Sequence, residues 1–137
     1  MCGIFGYVGN EKNTAAKILS GLKLLEYRGY DSWGIAVKND AKLAVEKHIG
    51  KIGTSVATLP NSTIGIGHTR WATHGGVTSE NAHPHTDCTL QLAVVHNGIV
   101  ENFQELKKEL VSKNHTFISE TDTEVISHMV EELLKTN

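Results

Sequence analysis

The sequence predicts a layered α+β domain and argues against a doubly wound parallel sheet. Short apolar segments of strand length occur near the start and in the middle of the chain, bounded by glycine and turn residues. Apolar residues at helical spacing occupy separate stretches. The two kinds of segment mix without the strict strand–helix alternation of a parallel sheet. A length of 137 residues suits one domain, residues 1–137, with a real core.

The elements can be read in order. Gly3–Val8 is short and apolar and reads as a buried strand. Thr14–Tyr27 reads as a helix, because Ala15, Ile18, Leu19, Leu22 and Leu25 recur on one face. Arg28-Gly29-Tyr30-Asp31-Ser32 is a turn. Strands are expected over Gly34–Lys38 and Leu43–His48, joined at Asn39-Asp40. A short helix is expected over Gly53–Leu59. Thr63–Thr69 reads as a strand, followed by a polar loop to about Thr89. Leu90–His96 reads as a second buried strand ending in the Asn97-Gly98 turn signal. Asn102–Ser112 reads as a helix with Phe103, Leu106 and Leu110 on one face. Thr121-Asp122-Thr123-Glu124 has the form of a capping box. The helix after it carries Val125, Ile126, Met129, Val130, Leu133 and Leu134. The chain stops directly after that helix, which suggests a piece of a longer protein.

Composition excludes several function classes. A net charge of -2 and the lack of a basic run interleaved with aromatics argue against nucleic acid as a partner. No apolar stretch approaches membrane-spanning length. Asn10, Glu11 and Lys12 interrupt any signal-peptide layout, so the cytoplasm is the expected compartment. Two cysteines, Cys2 and Cys88, make no disulfide framework.

Cys2 is the most reactive candidate. Once Met1 is removed, one residue carries a thiol nucleophile and a free α-amine, which can accept the thiol proton. Five further polar segments lie at the edges of the expected elements: Tyr27–Ser32, His68–Gly75, Asn81–His85, His96–Gly98 and Ser119–Glu124. Taken alone, Asn97-Gly98 is also a hairpin turn, Arg70 a surface ion-pair partner, Asp122 a helix-start residue and Trp71 a core anchor.

Together with the Cys2-Gly3 start, these segments resemble the glutamine amidotransferases with an N-terminal nucleophile. Within that family the likeness is to the glutamine–fructose-6-phosphate aminotransferases. The branch acting on phosphoribosyl pyrophosphate usually has His-Arg-Gly-Gln-Asp where this chain has Tyr27-Arg28-Gly29-Tyr30-Asp31. The resemblance covers Met1 to Asn137 and rests on six motifs in order. It implies a four-layer αββα fold, of which this chain is the first part, incomplete at its C-terminus. It implies glutamine as substrate, no cofactor, and a sugar-phosphate isomerase half as partner, with the full-length protein a homo-oligomer.

The resemblance also implies roles. Cys2 attacks the amide carbonyl, and the Asn97 side chain with the Gly98 backbone N–H forms the oxyanion hole. Arg70 takes the substrate carboxylate and Asp122 its ammonium. Thr73 and His74 line the pocket, Trp71 belongs to a closing loop, and Arg28 lies near the nucleophile. Trp33 and Val77-Thr78 depart from the family pattern, which usually has a small residue and Pro-Ser there. Eight histidines raise the question of zinc, with His68, His74, His83, His85 and the two cysteines as the ligands weighed. No pair of short-spaced ligand motifs is present, so no metal is expected and Cys88 reads as a bystander.

Overall fold

The computed structural model describes residues 1–136. The elements are β1 (Gly3–Val8), α1 (Thr14–Leu25), β2 (Ser32–Asn39), β3 (Lys42–Ile49), β4 (Ile64–Arg70), β5 (His85–Thr86), β6 (Ala93–Val94), α2 (Phe103–Ser112) and α3 (Glu124–Thr136). A 3₁₀ turn over Glu26–Arg28 extends α1 and completes the expected helix.

β1, β4, β2 and β3 form one sheet in that order, with every pairing antiparallel. β5 and β6 form a second, two-stranded ladder. α1 packs on the first sheet; α3 packs on the second ladder and α2 on α3. The described residues therefore stack as helix, sheet, sheet and helix, the layering expected.

Strand alternation explains the core. Trp33, Ile35 and Val37 share one face of β2 and meet Ile18, Leu19 and Leu22 of α1 in one buried cluster with Ile52. Each such fully buried aliphatic side chain contributes about 1.5–3 kcal/mol. Ser32 and Ala36, on the opposite face, are buried as well. β2 is thus covered on both sides, as a central strand of a layered fold must be. Trp33 fits without displacing the strand: its indole is buried and stacks on His48 across the β2–β3 pair, with ring centroids 4.3 Å apart.

Four expectations differ from the fold. No helix forms over Gly53–Leu59. Gly53 adopts a left-handed φ of 50°, and Thr58 gives both its N–H and its hydroxyl to Glu46 Oε2, which holds the segment beside β3. The strand over Leu90–His96 shortens to Ala93–Val94 and is only half-buried. Asp87 Oδ1 accepts from Gln91 N and Leu92 N, each at 2.8 Å, which curls the chain there, and Leu90 takes a φ of 59°. The capping box does not close. Thr121 Oγ1 meets His85 Nε2 at 2.8 Å, and the Glu124 carboxylate accepts from Ile118 N and Ser119 N upstream of the helix. Finally, α3 buries Val125, Ser127, His128 and Glu131, whereas Met129, Leu133 and Leu134 are exposed. The polar side of this helix faces inward.

Candidate active site

Strand register brings the start of the chain to the end of β4. Gly3 pairs with Thr69, and Ser32 pairs with Arg70 on the other side. Gly3 N donates to Thr69 Oγ1 at 3.1 Å, which fixes the direction in which Cys2 leaves the sheet. The Cys2 sulfur then accepts from Trp71 N at 3.2 Å and lies 3.6 Å from Trp71 O. The turn after α1 closes the other side. Gly29 sits there because a Cβ would fall 2.7 Å from the Arg70 carbonyl carbon and 2.8 Å from Trp71 N. Asp31 Oδ2 accepts from Ala72 N at 2.8 Å and ties this turn to the residues after β4.

The Asn97-Gly98 segment approaches Cys2 from the opposite side. Asn97 Nδ2 donates to the Cys2 carbonyl at 3.1 Å, and Arg28 Nε reaches the same oxygen at 3.4 Å. His68 Nε2 lies 2.9 Å from Asn97 Oδ1. Asn97-Gly98 is no hairpin turn here, since β6 ends at Val94 and α2 follows. A Cβ on Gly98 would fall 2.6 Å from His96 Nε2, so the glycine keeps the backbone close beneath that ring.

Arg70 is almost fully buried. Its guanidinium donates to the carbonyls of Gly76 at 2.9 Å and Gly75 at 3.4 Å, and also to that of His74. Burial lowers its pKa, opposed by the charges of Cys2, Asp31 and Asp122. Asp122 is buried at the approach to α3 and accepts from Val100 N at 2.7 Å. Trp71 is 45% exposed and stands edge-on to Tyr30. It is no core anchor.

Cys2, Arg28, Arg70, Trp71, Thr73, His74, Asn97, Gly98 and Asp122 all line one cavity of about 420 Å³. Every site residue expected from the sequence is therefore brought to one place. Residues 47–135 match the family model described as a glutamine amidotransferase domain. The chain belongs to this family.

Relatives of this amidotransferase domain are named glutamine–fructose-6-phosphate aminotransferase (isomerizing). The one from Pyrococcus horikoshii is 57% identical over 98% of this chain, and the one from Methanococcus maripaludis 56% over 98%. The chain spans 23% of the length of each. Among solved structures, the glutamine phosphoribosylpyrophosphate amidotransferase from B. subtilis superposes with a TM-score of 0.76 at 28% identity. It covers 96% of this chain and 29% of its own. A second, described as the allosteric regulatory enzyme of purine biosynthesis, gives 0.78 at 29% identity with the same coverages. These likenesses bear out the N-terminal-nucleophile fold.

The cavity also includes residues that sequence reasoning left without a role. Met1, His83, His96, Ile99, Thr121 and Thr123 line it, and His68 stands behind Asn97. His68 was within reach of the sequence. On β4 it is two residues before Arg70, so strand alternation puts both on one face. Its ring stacks on His83 at 4.2 Å. Burial pushes His68 down to about 4 and His85 to about 3, and lowers His83 strongly. These rings are neutral, buried packing elements at neutral pH.

Proposed function

We propose that this domain hydrolyses the side-chain amide of glutamine to glutamate and ammonia. With Met1 removed, the Cys2 thiol gives its proton to the Cys2 α-amine, and the sulfur attacks the amide carbon. The carbonyl oxygen takes up the electron pair as an oxyanion. Asn97 Nδ2 and the Gly98 N–H hold it, two fixed donors where charge develops. Collapse of the tetrahedral intermediate breaks the C–N bond. The α-ammonium returns its proton to the leaving nitrogen, and ammonia departs. Water then hydrolyses the thioester to glutamate and restores the thiol. Arg70 and Asp122 bind the carboxylate and ammonium of the substrate, Thr73, His74 and Arg28 complete the wall, and Trp71 shields the thioester from bulk water.

The observation that carries this reading is the meeting of Cys2, Asn97 and Asp122, distant in sequence, on one cavity of about 420 Å³ in an amidotransferase domain. From the relatives' names we infer that the ammonia serves glucosamine 6-phosphate formation from fructose 6-phosphate. A sugar-phosphate isomerase half would do this, within a cytoplasmic homo-oligomer. A second reading has a specific basis. While Met1 is attached, the Cys2 nitrogen is a peptide nitrogen with no basic lone pair. In that form the domain binds glutamine without turning it over.

One experiment separates these. Ammonia release from glutamine is measured on protein whose Met1 removal is verified by intact mass, on the Met1-bearing form, and on Cys2→Ala. Release only from the processed wild type is expected. Equal release by Cys2→Ala would refute the nucleophile assignment.

A further inference from the structure

The amidotransferase reading gives no part to a second cluster, which shares no residue with the cavity. Cys88 follows β5, His115 lies between α2 and α3, and His128 and Glu131 stand three residues apart on α3. One donor atom from each lies within 4.8 Å of all the others. Cys88 Sγ is 3.6 Å from His128 Nδ1 and 3.9 Å from His115 Nδ1. Glu131 Oε2 is 3.1 Å from His115 Nδ1 and 3.3 Å from His128 Nδ1. Four donors on one tetrahedral ion at zinc-type bond lengths would be separated by about 3.6 Å for sulfur to nitrogen and about 3.3 Å for nitrogen to oxygen. The four spacings just given lie within about 0.3 Å of these values.

The surroundings point the same way. His115 Nε2 is 3.1 Å from Glu132 Oε2, and His128 Nε2 is 3.5 Å from Glu124 Oε1. Each ring thus has a carboxylate oxygen at both nitrogens. With protein atoms alone, that arrangement is satisfied only if both rings are imidazolium, two buried cations with centroids 5.3 Å apart. With an ion at the centre, both rings are neutral. The Glu132 carboxylate holds the Nε2–H tautomer of His115, Glu124 Oε1 stands at ion-pair distance from His128 Nε2, and the Nδ1 lone pairs face inward, the carboxylate–histidine–metal relation. Glu124 is fixed for this by Ile118 N and Ser119 N, at 2.8 and 2.7 Å. Thr116 N points at the Cys88 sulfur at 3.5 Å, and Cys88 N donates to Glu131 Oε2 at 3.1 Å. Lys135 Nζ holds the other Glu131 oxygen at 2.9 Å. Cys88 is exposed while His115, His128 and Glu131 are buried, which leaves a path for an ion from solvent.

We propose that Cys88 Sγ, His115 Nδ1, His128 Nδ1 and Glu131 Oε2 bind one four-coordinate divalent ion of the zinc type. The mixed sulfur, nitrogen and oxygen set disfavours calcium and magnesium, which take oxygen ligands. Binding releases the Cys88 thiol proton and the Nδ1 protons of His115 and His128 to solvent. Four protein donors leave no open position, so the site is structural: it ties the turn after β5 and the segment before α3 to the α3 helix.

The test uses untagged Cys2→Ser protein, which removes the other thiol, with folding verified by circular dichroism. It is dialysed against Zn²⁺ and, separately, titrated with Co²⁺. One zinc per chain is expected, with strong visible bands of four-coordinate cobalt and a near-ultraviolet thiolate-to-cobalt band. Cys88→Ser should lose the thiolate band. Glu132→Gln should keep both spectra while binding about tenfold more weakly, as for other outer partners. Substoichiometric zinc on folded protein, only the weak bands of six-coordinate cobalt, or a spectrum unchanged in Cys88→Ser would overturn the proposal.

Discussion

His68 Nε2 stands 2.9 Å from Asn97 Oδ1, and this pair sets which end of the Asn97 amide faces Cys2. Burial pushes His68 down to about 4, so at neutral pH its ring is uncharged and one nitrogen carries hydrogen. An amide oxygen accepts, so that nitrogen is Nε2. The Nδ2 group must then turn the other way, where it meets the Cys2 carbonyl at 3.1 Å. In the proposed chemistry His68 is a positioning residue that acts through Asn97.

His68→Ala should therefore lower kcat with little change in KM. Loss of one oxyanion donor costs on the order of 10²–10³, which Asn97→Ala should approach and His68→Ala should not exceed. Steady-state kinetics decide it; a change confined to KM would show that His68 does not orient the amide.

Arg70→Lys tests a different link. The guanidinium reaches three successive carbonyls, those of His74, Gly75 and Gly76, and an ammonium cannot span them in one plane. KM for glutamine should rise by about tenfold or more. Amide hydrogen exchange over residues 74–76 should quicken in parallel. A KM change with unaltered exchange would mean that Arg70 acts on substrate alone.

Gly29→Ala should be destabilising, because Gly29 is buried in the turn after α1. Its Cβ would lie under 3 Å from backbone atoms of Arg70 and Trp71, which cannot swing aside as a side chain can. A loss of about 1–3 kcal/mol in chemical denaturation is expected, as for overpacking elsewhere. Ammonia release should fall with it, because the strain lies beside the Cys2 sulfur.

Stability should decline on mild acidification. His68, at about 4, and His85, at about 3, are lowered from the ordinary value of 6.5, so the unfolded chain binds protons first. Their contribution is complete above about pH 6.5 and is lost progressively as pH falls through 4. Thermal melts between pH 7 and 5 should fall steadily, and less steeply in His83→Asn, which lacks one buried ring. A flat profile would show that the rings are solvated.

The exposed apolar residues of α3 should drive self-association. Met129 is 37% exposed and Leu134 70%. Sedimentation velocity should show concentration-dependent oligomers that Leu134→Lys reduces; a monomer at all concentrations would contradict this.

The first half of the fold was legible because its strands and helix obey the simple periods. Ile18, Leu19 and Leu22 meet Trp33, Ile35 and Val37 as the patterns require. The second half was less so. Asp87 draws its hydrogen bonds from side chain to backbone and curls residues that read as a strand. Glu124, Ser127, His128 and Glu131 are buried on the face that hydropathy assigns to solvent, where His128 lies at ion-pair distance from both Glu124 and Glu131. The residues around the cavity were found through their motifs. The Cys88, His115, His128 and Glu131 group was missed because its members are scattered along the chain, and only the packing of α3 collects them.

Met1 forms part of the wall beside Cys2. A single exopeptidase cut therefore acts at the edge of the cavity itself: it unmasks the nitrogen that must handle the substrate's proton. Any peptide fused ahead of Cys2 would keep that nitrogen in an amide, so affinity handles on this domain belong at its far end.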